Sequence, residues 1–105
     1  MHVIVAGVDA EDIGHAIEDQ GHDVAVVDVA NRPALEEAGI LDTEVFVLTE
    51  IEQATSISVA KDLNPDLKVV VYARESLPDF ARGQADLVVD PALIDAETVA
   101  EELDA

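Results

Sequence analysis

Residues 1–28, MHVIVAGVDAEDIGHAIEDQGHDVAVVD, decide the fold. They read strand, turn, helix, turn, strand. His2 to Ala6 is apolar on both faces, as befits a central parallel strand covered by helices, and it runs into Gly7. Asp9 follows, placed to cap a helix by accepting from backbone N–H groups one turn on. Glu11 and Asp12 are expected in the first helical turn, where the positive end of the helix dipole favours acids. Ile13, Ala16 and Ile17 share one helical face, and Gly21 is a C-terminal stop. Val24 to Val27 is a second buried strand ending at Asp28. Two parallel strands joined by a helix make a right-handed βαβ unit.

The remaining chain repeats the pattern. Pro33 opens a short helix stopped by Gly39, the usual asymmetry of proline at the start and glycine past the end. Glu44 to Leu48 is a third strand, with Thr49 at its end. A helix is expected from about Glu52 to Leu63, ended by Asn64-Pro65. Leu67 to Tyr72 is the fourth strand and Arg74 follows it. A short helix spans Leu77 to Arg82, Leu87 to Val89 is the fifth strand, and Asp95 caps a last helix through Val99 and Leu103. Five strands alternating with five helices predict an α/β fold, a three-layer doubly wound parallel sheet with helices on both faces. The 105 residues are expected to form one domain.

The segment resembles the N-terminal nucleotide-binding domain of potassium-transport regulators, the RCK/KTN (TrkA-N-like) family, a Rossmann variant. The resemblance rests on the strand entering Gly7, on Gly21-His22-Asp23-Val24, and on Asp28. It continues through residues 37–40, 45–49, 60–65 and 85–91. It implies a nucleotide site in which Asp28 holds an adenosine ribose and Thr49 lies close by. Two departures stand out. The family's GxGxxG has become Gly7-Val8-Asp9-Ala10-Glu11-Asp12, with one glycine of three. A helix and strand after Asp28 are missing, since only residues 29–35 fill that gap. Removing the third strand from the Rossmann order 3-2-1-4-5-6 and renumbering leaves 2-1-3-4-5, the flavodoxin-like order. The switch point then lies beside Gly7 and Thr49.

Charge bounds the partners. There are 24 acids against five bases, a formal net charge of −19. Nucleic acid and anionic membrane are poor partners for such a surface. The acids are spread along the chain and half the residues are hydrophobic, which argues for a folded protein rather than a disordered tail. The composition fits a high-salt cytoplasm, where at ~1 M ionic strength the Debye length is ~3 Å. No apolar run is long enough to span a membrane, and no signal peptide is expected. Cysteine is absent, so disulfides and thiolate chemistry are excluded.

The candidate ligand residues are Gly7, Asp9, Asp28, Thr49 and Arg74. Gly7 and Thr49 flank the switch point, and Arg74 could meet an anion at the same sheet edge. Asp9, Glu11 and Asp12 crowd the first helix N-terminus and would each repel a phosphate by about 1 kcal/mol at contact even in high dielectric. NAD and adenine nucleotides are therefore expected to bind weakly or not at all, and no cofactor is assigned. Each candidate also has a plain role: Asp9 and Thr49 as helix caps, Asp28 as a turn residue, Arg74 as an ion-pair partner. His2, His15 and His22 lack metal-ligand spacing, and no GxxxxGK[ST] exists. Phosphoacceptor receiver domains share the 2-1-3-4-5 order, and Asp9, Asp28 and Asp90 could form an acidic cluster like theirs. That chemistry needs an Asp ending the third strand, where Thr49-Glu50 stands, and a Lys after the fifth, where none follows Val89. The phosphoacceptor reading is set aside. The expectation is a non-catalytic ligand-sensing or assembly module with a degenerate nucleotide site; the alternative is a small enzyme or true nucleotide binder. A small molecule, a protein or a second copy of the chain are the partners it leaves open.

Overall fold

The computed structural model describes residues 1–103. Its sheet has five strands, β1 (His2–Ala6), β2 (Asp23–Val27), β3 (Val45–Leu48), β4 (Lys68–Tyr72) and β5 (Leu87–Val89), all parallel in the order β2-β1-β3-β4-β5. The helices are α1 (Ile13–Asp19), α2 (Arg32–Glu37), α3 (Thr55–Leu63), α4 (Asp79–Arg82) and α5 (Ala96–Glu102). This is the expected doubly wound, flavodoxin-like arrangement.

The apolar runs make the layers. Val3 to Ala6 are fully buried because β1 lies between β2 and β3 and is covered on both faces. Side chains alternate along a strand. Ile4 and Ala6 therefore join Leu35 of α2, Ile57 and Ala60 of α3 and Ala81 of α4 in one core. Val3 and Val5 join Ile13 and Ile17 of α1 and Val99 and Leu103 of α5 in the other. Crossovers of constant hand place α1 and α5 on one side because the chain reverses direction across the sheet after β2. That reversal opens the sheet's C-terminal edge between β1 and β3.

The ends of the elements differ most from the sequence expectation at the starts of two helices, α1 and α3. Helix α1 begins at Ile13, not near Ala10. Asp12 precedes it in the left-handed region at φ 58°, so Glu11 and Asp12 stand in the loop rather than in the first turn. Before α3, Ile51–Gln53 form a separate 3₁₀ turn, and the α-helix proper starts at Thr55. The stops behave as read: Gly21 and Gly39 take φ of +89° and +86°, which glycine adopts without steric cost.

Candidate functional site

The C-terminal ends of β1, β3 and β4 meet in a groove of about 200 Å³. Val8, Glu11, Thr49, Tyr72, Arg74 and Pro91 line it. Thr49 and Arg74 are thus brought together, as the switch-point argument requires. Gly7 lies directly behind Thr49, where the end of β1 runs close beside that of its parallel neighbour β3.

Gly7 is required by this close approach. Its φ is +104°, and a Cβ there would stand 2.6 Å from Thr49 Oγ1 and 2.9 Å from Glu50 Cγ. Its own N–H donates to Val27 O at 2.9 Å. The glycine lets two strand ends touch, which is a different task from admitting a pyrophosphate. Thr49 is equally committed. Its N–H donates to Ala6 O at 3.0 Å. Its hydroxyl lies 3.0 Å from Ala6 O and 2.8 Å from Val8 O, so its single proton is spent on backbone carbonyls.

Three of the N–H groups at this edge are already engaged by carboxylates. Asp9 Oδ1 accepts from Ile13 N at 2.7 Å, and Oδ2 from Gly14 N at 2.9 Å. The cap expected of Asp9 is present, reaching across the left-handed Asp12 to the first turn of α1. Val8 N donates to Glu50 Oε1 at 2.6 Å. Glu50 is the residue that the sequence reading missed. An acid directly after β3, beside a turn directly after β1, was the signal available once the strand order was derived.

Arg74 Nη2 lies 3.4 Å from Glu11 Oε1, and both side chains are exposed. Tyr72 beneath is only 2% exposed and donates from Oη to Ile94 O at 2.8 Å. Burial pushes its phenol above the ordinary value of 10.0, Glu11 and Asp95 add to this, and Arg74 opposes it. The Tyr72 hydrogen bond ties the loop before α5 to β4.

Asp28 stands outside this groove. Its side chain is exposed, and Gln53 Nε2 donates to its carbonyl at 2.8 Å. Gln53 Oε1 also accepts from Ala30 N at 2.8 Å, so the Gln53 side chain pins the β2–α2 loop. Asp90 caps its own turn, Oδ1 accepting from Ala92 N at 2.8 Å. Among the described residues no group of three His, Cys, Asp or Glu could hold a metal ion. Arg32 pairs with Glu36 on its own helix at 3.8 Å. No helix among the described residues is long and apolar enough to cross a membrane.

Comparison with solved structures finds receiver domains. An orphan response regulator of H. pylori superposes with a TM-score of 0.76 at 14% identity, over 99% of this chain and 93% of that one. A CheY-like receiver domain protein from Methanospirillum hungatei gives 0.75 at 15% identity, covering 98% and 90%. An atypical orphan response regulator described as having a phosphorylation-independent regulatory mechanism gives 0.70 at 15% identity, covering 99% and 92%. At such identities the likeness is one of fold. No curated protein matches the chain.

These findings correct the RCK/KTN resemblance. The sheet that looked like a Rossmann sheet lacking a strand is a complete receiver-type sheet. The residues quoted for the resemblance have local causes: Gly21 terminates α1, Gly7 clears Thr49, and Asp28 ends an edge strand away from the groove. Such features recur wherever strand, helix and strand are wound in this way. Residues 3–103 match a family of unknown function, DUF7126, and it is to this family that the chain belongs.

Proposed function

We propose that this chain is a non-catalytic regulatory or assembly module on a receiver-type fold, acting through contacts with other proteins and without phosphoryl transfer. One observation carries the reading. The anion-binding amides of the β1–α1 loop and the α1 N-terminus are held by the chain's own carboxylates, Asp9 and Glu50. A helix N-terminus normally invites an anion; here an incoming phosphate would have to displace two carboxylates from N–H groups 2.6–2.9 Å away. Thr49 supplies no carboxylate for an acyl phosphate, and its hydroxyl proton is engaged. Asp90-Pro91 follows β5, so no lysine stands there to meet a phosphoryl group.

The fold supports the regulatory half of the reading. Its structural neighbours are described as response regulators, and one of them as regulated independently of phosphorylation. The charge of −19 opposes nucleic acid as a partner. The test is direct. The protein is incubated with acetyl phosphate and Mg²⁺ and its intact mass is measured. The mass is expected to remain that of the bare chain. A phosphoryl adduct mapped to any aspartate overturns the proposal.

A further inference from the structure

The segment between β3 and α3 holds both neighbouring loops. Thr49 Oγ1 lies 2.8 Å from Val8 O and Glu50 Oε1 accepts from Val8 N at 2.6 Å, which grips the β1–α1 loop. The Gln53 side chain grips the β2–α2 loop, donating to Asp28 O and accepting from Ala30 N, each at 2.8 Å. The two loops lead to opposite faces of the sheet, since α1 and α2 pack in different cores. One short stretch of backbone thus carries the contacts to both.

That stretch is wound more tightly than the helix it enters. Gln53 N donates to Glu50 O at 3.0 Å and Ala54 N to Ile51 O at 2.9 Å, each three residues back. Ile57 N likewise donates to Ala54 O at 3.1 Å. In an uninterrupted α-helix it would donate to Gln53 O. The Ser56 hydroxyl takes that carbonyl instead, donating at 2.6 Å, and Ser56 is buried. A hydroxyl bonded to a backbone carbonyl in this way competes with the helix ladder. Ala54 stands at φ −58° and ψ −27°, and a change of about 15° in ψ separates that from the α-helical value. The two windings are close neighbours in conformation.

We infer that residues 49–54 form a two-state clasp, gripping both loops as a 3₁₀ turn and releasing both when wound into α3. The helix is anchored by Ile57 and Ala60, which are fully buried. Winding the turn against this anchor changes the rotation per residue from about 120° to about 100°. Gln53 swings by about 20° relative to Ala54, and the difference accumulates to about 80° at Glu50. Both grips sit on the part that turns, so neither is kept when the other is lost. Once released, the β2–α2 loop no longer walls the groove that Val29, Arg32, Gln53, Thr55 and Val59 line. A partner that holds either loop in its observed place favours the 3₁₀ winding and so orders the other loop.

The clasp goes beyond the reading as a regulatory module and fails separately from it: an acyl-phosphate adduct overturns that reading and leaves the clasp standing. The test is amide hydrogen exchange of the ¹⁵N-labelled full chain in molar KCl, for the native sequence, Gln53→Ala and Ser56→Ala. In the native chain Val8 and Ala30 are expected to share one protection factor, lower than those of the core amides of Val5 and Val70. Gln53→Ala removes bonds to the β2–α2 loop alone, yet should speed exchange at Val8 and Ala30 by the same factor, about fivefold or more. Ser56→Ala frees Gln53 O for Ile57 N. It should speed the same two amides and bring in a nuclear Overhauser contact from Gln53 Hα to the Ile57 amide, the mark of α winding. Unequal native protection at Val8 and Ala30, or protection as high as that of the core, overturns the inference. So does a Gln53→Ala effect confined to Ala30, or a Ser56→Ala chain in which neither amide speeds.

Discussion

At the residue scale, Gly7 and Asp9 decide what the switch point is able to do. Gly7→Ala forces an L side chain into φ +104° and drives Cβ against Thr49 Oγ1. We expect it to cost about 1–3 kcal/mol from the backbone alone, with the clash added. Thr49→Ala in the same chain relieves the hydroxyl contact but neither the positive φ nor the approach to Glu50. The double variant should therefore recover only part of the loss in urea denaturation; full recovery would place the cost in the clash alone. Asp9→Ala removes the cap of α1 and should cost about 1 kcal/mol, a fall of roughly 4–8 °C in melting temperature for a domain of this size. Both residues were legible in the sequence, as a turn glycine and a cap. What they do to a ligand was legible only in part. The sequence showed acids near the helix N-terminus, but the occupation of Val8 N by Glu50 depends on a contact between residues 42 positions apart.

At the element scale, every strand and α-helix was foreseen, and the boundaries shifted by a few residues where local backbone geometry intervened; β2, read as buried, is instead an edge strand with Val26 58% exposed. Periodicity locates apolar faces, and these set the layers. It carries no information on a left-handed Asp12 or on a 3₁₀ turn before α3. The family resemblance failed for a related reason: its anchors were turn glycines and a strand-end acid that any βαβ unit can use, so they report winding rather than ancestry. Two elements titrate with a definite sign. The Asp95 carboxyl, which accepts from Thr98 N at the start of α5, is held below its ordinary 3.8. Its contribution is present above that value and is lost as pH falls through the lowered one. Asp95→Ala should flatten part of the acid limb of a stability-against-pH curve; an unchanged limb would assign it to other carboxylates. Tyr72 runs the other way. Its pKa is raised in the fold, so its contribution is whole below 10.0 and is lost as pH rises through the raised value. Tyr72→Phe should cost about 1 kcal/mol near neutral pH through the lost bond to Ile94. That deficit should shrink in alkali, as followed by chemical denaturation between neutral and alkaline pH. A deficit independent of pH would mean that the hydroxyl does not titrate with folding.

At the scale of the whole molecule, the two properties that matter are a net charge of −19 and a sheet edge whose amides of Val8, Ile13 and Gly14 are held by the chain's own carboxylates. Five bases cannot pair 24 acids, so most carboxylates have like-charged neighbours. At ~0.01 M salt the Debye length of ~30 Å matches the largest extent of the fold, 29 Å, and the repulsion is felt throughout. Net stabilities of domains are only about 5–15 kcal/mol. The melting temperature is therefore expected to climb steeply from low salt to molar KCl, and a flat profile would show that the charge is merely tolerated. The occupied edge is the more specific property, and on the proposed reading it sets this chain apart from both chemistries that its topology can host, nucleotide binding and phosphoryl transfer. A titration of the ¹⁵N-labelled protein in molar KCl, with beryllofluoride and Mg²⁺ and then with NAD and ATP, tests it most directly, through the amide signals of Val8, Ile13, Gly14 and Thr49. The account predicts that none of the four shifts in a saturable way; saturable shifts of these amides at micromolar ligand would contradict it.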